Sequence, residues 1–256
     1  MASQTPPISL ELCIDSLNEA QRCAEAGVRR FELNSAIELG GLTPPIGLTE
    51  CVVEALKPMG AKVIGMVRPR PGEFAYETSC LQTMRREIDR LLAVGVDGVA
   101  FGVLQPNSKL AVEQNRELIE PVLVSGKEAV FHRAFDVTPD LLEALDRLIE
   151  LGFMRVLTSG GKQTAIEGAD TIHRLIEHAA GRIEILPGGG IRAHNVNELV
   201  QRTGCTQVHA SLRSVMQEDS VGLASPVRFN SALPPEPAYH RVDPFKLEQM
   251  LNTLQR

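Results

Sequence analysis

The segment 129–136 (AVFHRAFD) carries residue types suited to proton transfer, because an apolar stretch ends there in His132, Arg133 and Asp136. Alternate side chains of a strand point to opposite faces, so His132 shares the face of Val130 at the carboxyl end of the strand. Histidine exchanges protons near neutral pH. We predict that His132 is a proton donor whose tautomer Asp136 fixes. The alternative is a hydrogen-bonded histidine at a strand end, without chemistry.

Other apolar segments also end in polar side chains. We assigned each strand the face that turns its large apolar residues outward. The side chains then predicted to point inward are Glu11, Cys13, Glu32, Asn34, Met66, Arg68, His132, Thr158, His209 and Ser211. Burying so many ionisable groups is costly unless they pair with one another, a metal or a ligand. The pattern therefore predicts a polar small-molecule or metal site, and the alternative is an ion network without chemistry.

The elements that position these residues alternate between strand and helix. Apolar strand segments occur at 8–14, 31–34, 62–68, 96–103, 129–136, 155–158, 183–186 and 207–211, with helical patterns between them. Eight such units predict an α/β fold, a (β/α)8 TIM barrel that forms a single domain over residues 1–256. Residues 216–241 contain four prolines and predict an irregular extension after strand 8, and 244–254 predict a closing helix.

Composition excludes several classes of partner. The net charge of -6 argues against binding to nucleic acid or to an anionic membrane surface. No apolar run is long enough for a membrane span, and residues 1–7 lack the features of a secretory signal. Five cysteines without a C-x-x-C pair argue against a disulfide framework. We expect a cytoplasmic protein.

Two glycine-rich loops predict a binding site for an anion. They follow consecutive strands, and each precedes a helix. The residues concerned are Ser159, Gly160, Gly161, Gly188, Gly189 and Gly190. Glycines let backbone N–H groups approach a ligand, and helix N-termini attract anions such as phosphate or carboxylate. The alternative is that these glycines only form tight turns.

Several motifs together resemble the CutC family, which is described as a family of copper homeostasis proteins. They are LELCIDS at 10–16, FEL at 31–33, GGLTP at 40–44, MVRPR at 66–70, FHRAFD at 131–136, LTSGG at 157–161 and SPVRF at 225–229. The resemblance implies a cytoplasmic TIM barrel, often a homo-oligomer such as a dimer or tetramer. It also implies an association with copper tolerance and proposed binding of Cu(I).

The resemblance also implies where copper would bind. In family members proposed to bind Cu(I), two cysteines at the ends of the first two strands are implicated. Cys13 matches the first, but Asn34 stands at the second position, and an amide is a poor ligand for this soft ion. A divalent metal ion is the alternative. The candidate metal ligands are Cys13, Glu11, Glu32, His132 and His209.

The same residues also suit catalysis without copper. We predict that Glu11 or Glu32 acts as a base, that His132 donates a proton and that Arg68 binds an anionic group. This alternative is an isomerase or lyase acting on a small anionic molecule, sugar-like or phosphorylated, with or without a metal. A second alternative is a scaffold or sensor that uses the pocket without catalysis.

Overall fold

The computed structural model describes residues 8–217 and 238–255. Its parallel strands are β1 Ser9–Ile14, β2 Arg30–Leu33, β3 Lys62–Met66, β4 Gly98–Phe101, β5 Glu128–Phe131, β6 Arg155–Thr158, β7 Glu184–Pro187 and β8 Gln207–Ala210. Neighbours in the sheet follow the order β7-β6-β5-β4-β3-β2-β1-β8. A parallel bridge between Gly188 and His209 joins β7 to β8 and brings the two ends of the sheet together. The predicted TIM barrel is confirmed.

Helices cover the outside of the barrel. They are α1 Leu17–Glu25, α2 Ile46–Leu56, α3 Thr78–Val94, α4 Val112–Val124, α5 Leu141–Leu151, α6 Ala169–Ala179, α7 Val196–Thr203 and α8 Pro244–Leu254. Short 3-10 helices occupy Ile37–Leu39, Lys57–Met59 and Arg133–Val137. Side-chain caps define several starts: the Asp140 carboxylate accepts hydrogen bonds from two amides of α5. None of the helices in the described ranges is long and apolar enough to cross a membrane.

Apolar residues are buried in two separate regions. The main core lies between the barrel and its helices and contains fully buried rings such as those of Phe31, Phe101 and Phe131. A small separate cluster lies inside the barrel, on β3, β4 and β5, and consists of Ile64, Met66, Ala100 and Val130. Charged side chains from several strands, among them Glu11, Glu32 and Arg155, occupy much of the remaining interior.

The chain after β8 differs in part from the predicted irregular extension at 216–241. Strand β9, Arg213–Gln217, pairs antiparallel with β10, Ala238–Val242. The pair is held to the barrel because the amide of Val242 donates to the carboxylate of Glu19. Residues 218–237 of that prediction lie outside the described residues. Helix α8 has the predicted bounds, 244–254.

Candidate functional site

A cavity of about 370 Å³ opens at the carboxyl ends of the strands. Residues from seven strands or the loops after them line it, among them Cys13, Glu32, Arg68, His132 and His209. Glu11 lies deeper and reaches the cavity only through His209. These residues were predicted to converge because residues two apart in a strand share a face. The structure brings them to one place.

Two carboxylates hold the imidazole of His209 between them. Its Nδ1 lies 2.9 Å from the Glu11 Oε1, and its Nε2 lies 3.9 Å from the Glu32 Oε2. Burial alone lowers the pKa of His209, but Glu32 and Glu11 outweigh burial and raise it. Burial raises the pKa of Glu32, and the charge of His209 offsets only part of that rise. The charged form of the His209 imidazole and the protonated form of the Glu32 carboxyl group are therefore both favoured relative to the same groups in water.

Two arginine side chains below the cavity stabilise the ionised form of Glu11. Arg30 Nε lies 2.8 Å from its Oε2, and an Arg155 nitrogen lies 3.8 Å from the same oxygen. Burial opposes ionisation, but the hydrogen bond with His209 and the charge of Arg30 lower the pKa of Glu11 to about 2. The arginines were not among the predicted site residues. Strand alternation could have found Arg30, because Arg30 and Glu32 share a face.

An ionic layer continues below Glu11 toward the amino ends of the strands. Arg155 also lies 3.0 Å from a carboxylate oxygen of Glu128 and 2.7 Å from one of Glu184. Lys62 lies 2.6 Å from the other oxygen of Glu128. Because these charges are paired, they fill the barrel floor without needing a ligand.

The predicted inward position of Thr158 is wrong. Arg155 and Leu157 are the β6 residues that face the interior, whereas Val156 packs among the helix-facing residues. Alternation then turns Thr158 outward, where its hydroxyl lies 2.6 Å from a carboxylate oxygen of Asp136. The assumption that every large apolar side chain faces the helices fails here, because Leu157 lines the cavity.

Cys13, Glu32 and His209 form the one group of three metal-ligand residues found in residues 8–217 and 238–255. One ligand atom of each lies within 4.8 Å of the others. The Asn34 amide stands among them, because its Nδ2 donates to Glu32 Oε2 at 2.9 Å and to Cys13 Sγ at 3.3 Å. Burial and the nearby Glu32 raise the pKa of Cys13 well above its usual range. Of the predicted metal ligands, Glu11 and His132 are not part of this group.

His132 is neutral and is not oriented by Asp136. Its Nδ1 accepts a hydrogen bond from the Ala134 amide at 3.3 Å. Burial, followed by the charge of Arg68, lowers the pKa of His132 to about 3. The prediction that Asp136 fixes the His132 tautomer is therefore wrong: the 3-10 helix that begins after His132 brings a backbone amide to the ring instead.

Asp136 instead organises the first glycine-rich loop. Its carboxylate accepts hydrogen bonds from the amides of Ser159 at 2.9 Å and Gly161 at 3.1 Å, and from Arg133 Nε at 2.8 Å. The amide of Gly160 donates to the Thr158 hydroxyl. The donors predicted to bind an external anion at residues 159–161 are therefore occupied by the protein's own groups.

The second glycine-rich loop retains open donors. Gly189 and Gly190 line the cavity with φ of 104° and 71°, values that favour glycine. Their amides and that of Ile191 have no acceptor within the described part of the chain. Gly188 packs closely, because a Cβ there would lie 2.6 Å from Leu157 Cδ1. Arg133 Nη1 lies beside Gly189, so a cationic group faces this loop.

The terminal nitrogens of Arg68 donate hydrogen bonds to backbone carbonyls of the surrounding loops. Nη1 donates to the carbonyls of Leu39 and Gly41 at 3.0 and 3.2 Å, and Nη2 donates to that of Gly72 at 2.9 Å. The guanidinium carbon lies 5.2 Å from the centroid of Phe74. Arg68 was predicted to bind an anionic group, but its terminal nitrogens already donate to backbone oxygens. Nε is the Arg68 nitrogen that has no hydrogen bond in the described part of the chain.

Fold and site together define a TIM-barrel protein with an acidic and imidazole-containing pocket at the carboxyl ends of its strands. Residues 8–214 match the family model described as the CutC family. This chain belongs to the CutC family, so the resemblance is confirmed.

Similar proteins agree with this assignment. A family protein CutC of Treponema denticola is 41% identical over 230 residues, which are 90% of this chain and 92% of the relative. A human protein named copper homeostasis protein cutC homolog is 38% identical, over 80% of this chain and 73% of the relative. The crystal structure of CutC from Streptococcus agalactiae has 35% identity and a TM-score of 0.75, with coverage of 79% of this chain and 97% of that one.

More distant structures share only the fold. Deoxyribose phosphate aldolase from Aeropyrum pernix has a TM-score of 0.60 at 16% identity, over 79% of this chain and 85% of that one. At this identity, the likeness concerns the barrel architecture and carries no statement about the reaction of this chain.

Proposed function

We propose that the cavity is the active site of an enzyme that moves a proton on a small anionic substrate, sugar-like or phosphorylated, in an isomerase or lyase reaction. In this proposal, Glu32 takes the proton from the substrate and returns it. His209 stands behind Glu32 as a charged partner, and Glu11 keeps His209 charged. The observation that carries the proposal is the imidazole of His209 held between two carboxylates at 2.9 and 3.9 Å.

The pKa values of the carboxylates support different roles for them. The pKa of Glu11 is lowered to about 2, which makes Glu11 a fixed charge. Burial raises the pKa of Glu32, and a general base is most effective when its pKa lies near the operating pH. Opposite shifts in a pair of carboxyl groups are typical of acid–base sites.

The second glycine-rich loop supports an anionic substrate. The open amides of Gly189, Gly190 and Ile191 lie at the same cavity as Glu32, next to Arg133. Backbone amides and a guanidinium suit a phosphate or carboxylate group. Barrel enzymes often bind phosphate on the loops after their last strands, and this loop follows β7.

Deuterium exchange tests the proposal even when the product of the reaction is unidentified. The protein is incubated in D2O with a panel of sugar phosphates and sugar acids, and loss of carbon-bound proton signals is followed by ¹H NMR. We expect exchange in at least one compound, slowed by about 100-fold or more in Glu32→Gln. Glu25→Gln, an exposed carboxyl on α1, is the control and retains exchange. Equal rates in Glu32→Gln and wild type, or no exchange in any compound, contradict the proposal.

We also propose a second function, binding of a metal ion in copper homeostasis, because Cys13, Glu32 and His209 can place three ligand atoms within 4.8 Å of one another. The family name and the name of the human relative favour copper. Thiolate, carboxylate and imidazole together suit Cu(II) or Zn(II) better than Cu(I), which prefers sulfur ligands. The Asn34 amide must turn aside for an ion to bind, because it donates to two of the three ligands.

Titration with Cu(I), Cu(II) and Zn(II), followed by calorimetry, tests the metal site. The Cys13 thiol must lose its proton to bind, so binding releases a proton and weakens as the pH falls. We expect Cys13→Ala to lower the affinity and to reduce the number of protons released, because His209 must still lose its proton, whereas Cys51→Ala, an exposed cysteine on α2, leaves both unchanged. Unchanged stoichiometry and affinity in Cys13→Ala would remove Cys13 from the site.

A further inference from the structure

Two buried N–H groups at the cavity lack an acceptor in the described part of the chain. They are Nε of Arg68 and Nε2 of His132, whose residues are only 6% and 3% exposed. Several other buried atoms without a hydrogen bond lie opposite a charge, such as Arg30 Nε at 2.8 Å from Glu11. Among the described residues, no carboxylate lies opposite Arg68 or His132 in this way. A buried donor without an acceptor costs about 1–3 kcal/mol, so we expect a ligand to accept a hydrogen bond from each of these two atoms.

The tautomer of His132 follows from its surroundings. Its Nδ1 accepts a hydrogen bond from the Ala134 amide, so this nitrogen carries no proton. A neutral ring must then carry its proton on Nε2. The low pKa of His132, about 3, agrees with a neutral ring. His132 is therefore a hydrogen-bond donor toward any group that meets Nε2.

The two donors belong to one corner of the cavity. Phe74 packs on both, since its ring centroid lies 5.2 Å from the Arg68 guanidinium carbon and 5.1 Å from the His132 ring centroid. The strand between theirs contributes no side chain at Gly102, where a Cβ would lie 2.9 Å from His132 Nδ1 and Cε1. Glycine at this position makes room for the imidazole.

We propose that His132 Nε2–H and Arg68 Nε–H form a paired donor site for a substrate oxygen that gains negative charge, and that the substrate is therefore a carbonyl compound with an acidic α-hydrogen. This inference rests on the proposed proton-transfer function. Glu32 takes the α-proton, the C–H electron pair forms the C=C bond, and the carbonyl π pair moves onto the oxygen. The two donors stabilise the resulting enolate oxygen, and reprotonation on carbon reverses the step.

A neutral imidazole suits this role better than a charged one in one respect: it donates a hydrogen bond without passing a proton to the enolate and trapping it as an enol. The cationic Arg68 supplies the charge. Its terminal nitrogens are fixed on backbone carbonyls, so Nε is held in place before the substrate arrives. Preorganised donors of this kind typically account for about 100-fold or more in rate.

Oxalate, a planar dianion that resembles an enediolate, is the probe for this site. Side-chain ¹⁵N NMR of the full chain reports the His132 tautomer, and calorimetry reports oxalate affinity. We expect a proton on Nε2 that shifts downfield on binding. We expect roughly 10- to 100-fold weaker binding in His132→Ala and in Arg68→Lys, which removes Nε. His132→Gln, which keeps an N–H donor, recovers part of the loss, and Arg70→Lys at the same loop is the control.

Several results would overturn the donor pair. They are a proton on Nδ1 of His132, no oxalate binding to the wild type, or unchanged affinity in His132→Ala and Arg68→Lys. Failure of the proposed function is recognised separately through deuterium exchange. If oxalate affinity falls in His132→Ala but no compound exchanges deuterium, the donor pair is supported and the proposed reaction is contradicted. If Glu32→Gln abolishes deuterium exchange but oxalate affinity is unchanged in His132→Ala and Arg68→Lys, only the donor pair is contradicted.

Discussion

Glu11 and His209 form a buried ion pair, with the Glu11 Oε1 2.9 Å from Nδ1 of the imidazole. The two residues are neighbours on the paired strands β1 and β8, at a register that places them opposite each other. This contact couples the ionic layer at the barrel floor to the cavity above it. The charge of His209 therefore depends on a residue that does not itself line the cavity.

Replacement of Glu11 by glutamine is expected to lower the pKa of His209, because a neutral amide no longer favours the charged ring. It also leaves Arg30 without its carboxylate, which is expected to cost about 3 kcal/mol of unfolding free energy. An NMR titration of His209 and urea denaturation measure the two effects. Glu128→Gln, which disturbs Arg155 but does not contact His209, should leave that pKa unchanged. An unaltered pKa in Glu11→Gln would contradict the coupling.

Replacement of Asp136 by asparagine is expected to loosen the loop at 159–161. The carboxylate accepts from two backbone amides there and from Arg133, and an amide nitrogen cannot accept in their place. We expect a loss of about 3 kcal/mol in unfolding free energy and faster hydrogen exchange at Ser159 and Gly161. Asp140→Asn, at the start of α5, is the matched control, because asparagine also caps helices well. Equal stability of the two variants would contradict this role.

The interior faces of β1 and β2 could be predicted from the sequence, whereas that of β6 could not. In β1 and β2, polar and apolar residues alternate strictly, so Glu11 and Glu32 have only one reasonable orientation. In β6, the apolar residues Val156 and Leu157 are adjacent, so the sequence does not alternate, and Leu157 faces inward against expectation. The partner of Asp136 also could not be predicted, because a single turn of 3-10 helix decides which way its carboxylate points.

Stability is expected to fall below pH 6.5 partly because of His132. Its pKa is lowered to about 3 in the folded protein, so above pH 6.5 the ring is neutral in both states and contributes nothing. As the pH falls from 6.5 to about 3, the His132 ring takes up a proton in the unfolded chain but stays neutral in the folded chain. Protonation therefore stabilises the unfolded state, and the free energy of unfolding decreases. Urea denaturation of wild type and His132→Gln measures this dependence.

The difference between those two proteins isolates the effect of His132 from the other ionisable groups. We expect the unfolding free energy of the wild type to fall more steeply, by up to ~2 kcal/mol relative to His132→Gln between about pH 6 and pH 4.5. Parallel curves would show that the ring is protonated in the folded protein.

Replacement of Asn34 by cysteine is expected to strengthen binding of Cu(I). The Asn34 amide nitrogen lies 3.3 Å from Cys13 Sγ, so a thiol at position 34 would adjoin the existing one and provide two sulfur ligands. We expect at least about a 10-fold gain in Cu(I) affinity, measured by competition with a chromogenic chelator. Asn34→Ala removes the amide without adding sulfur and is the control. If alanine and cysteine raise Cu(I) affinity equally, the amide was only an obstacle and the second sulfur contributes nothing.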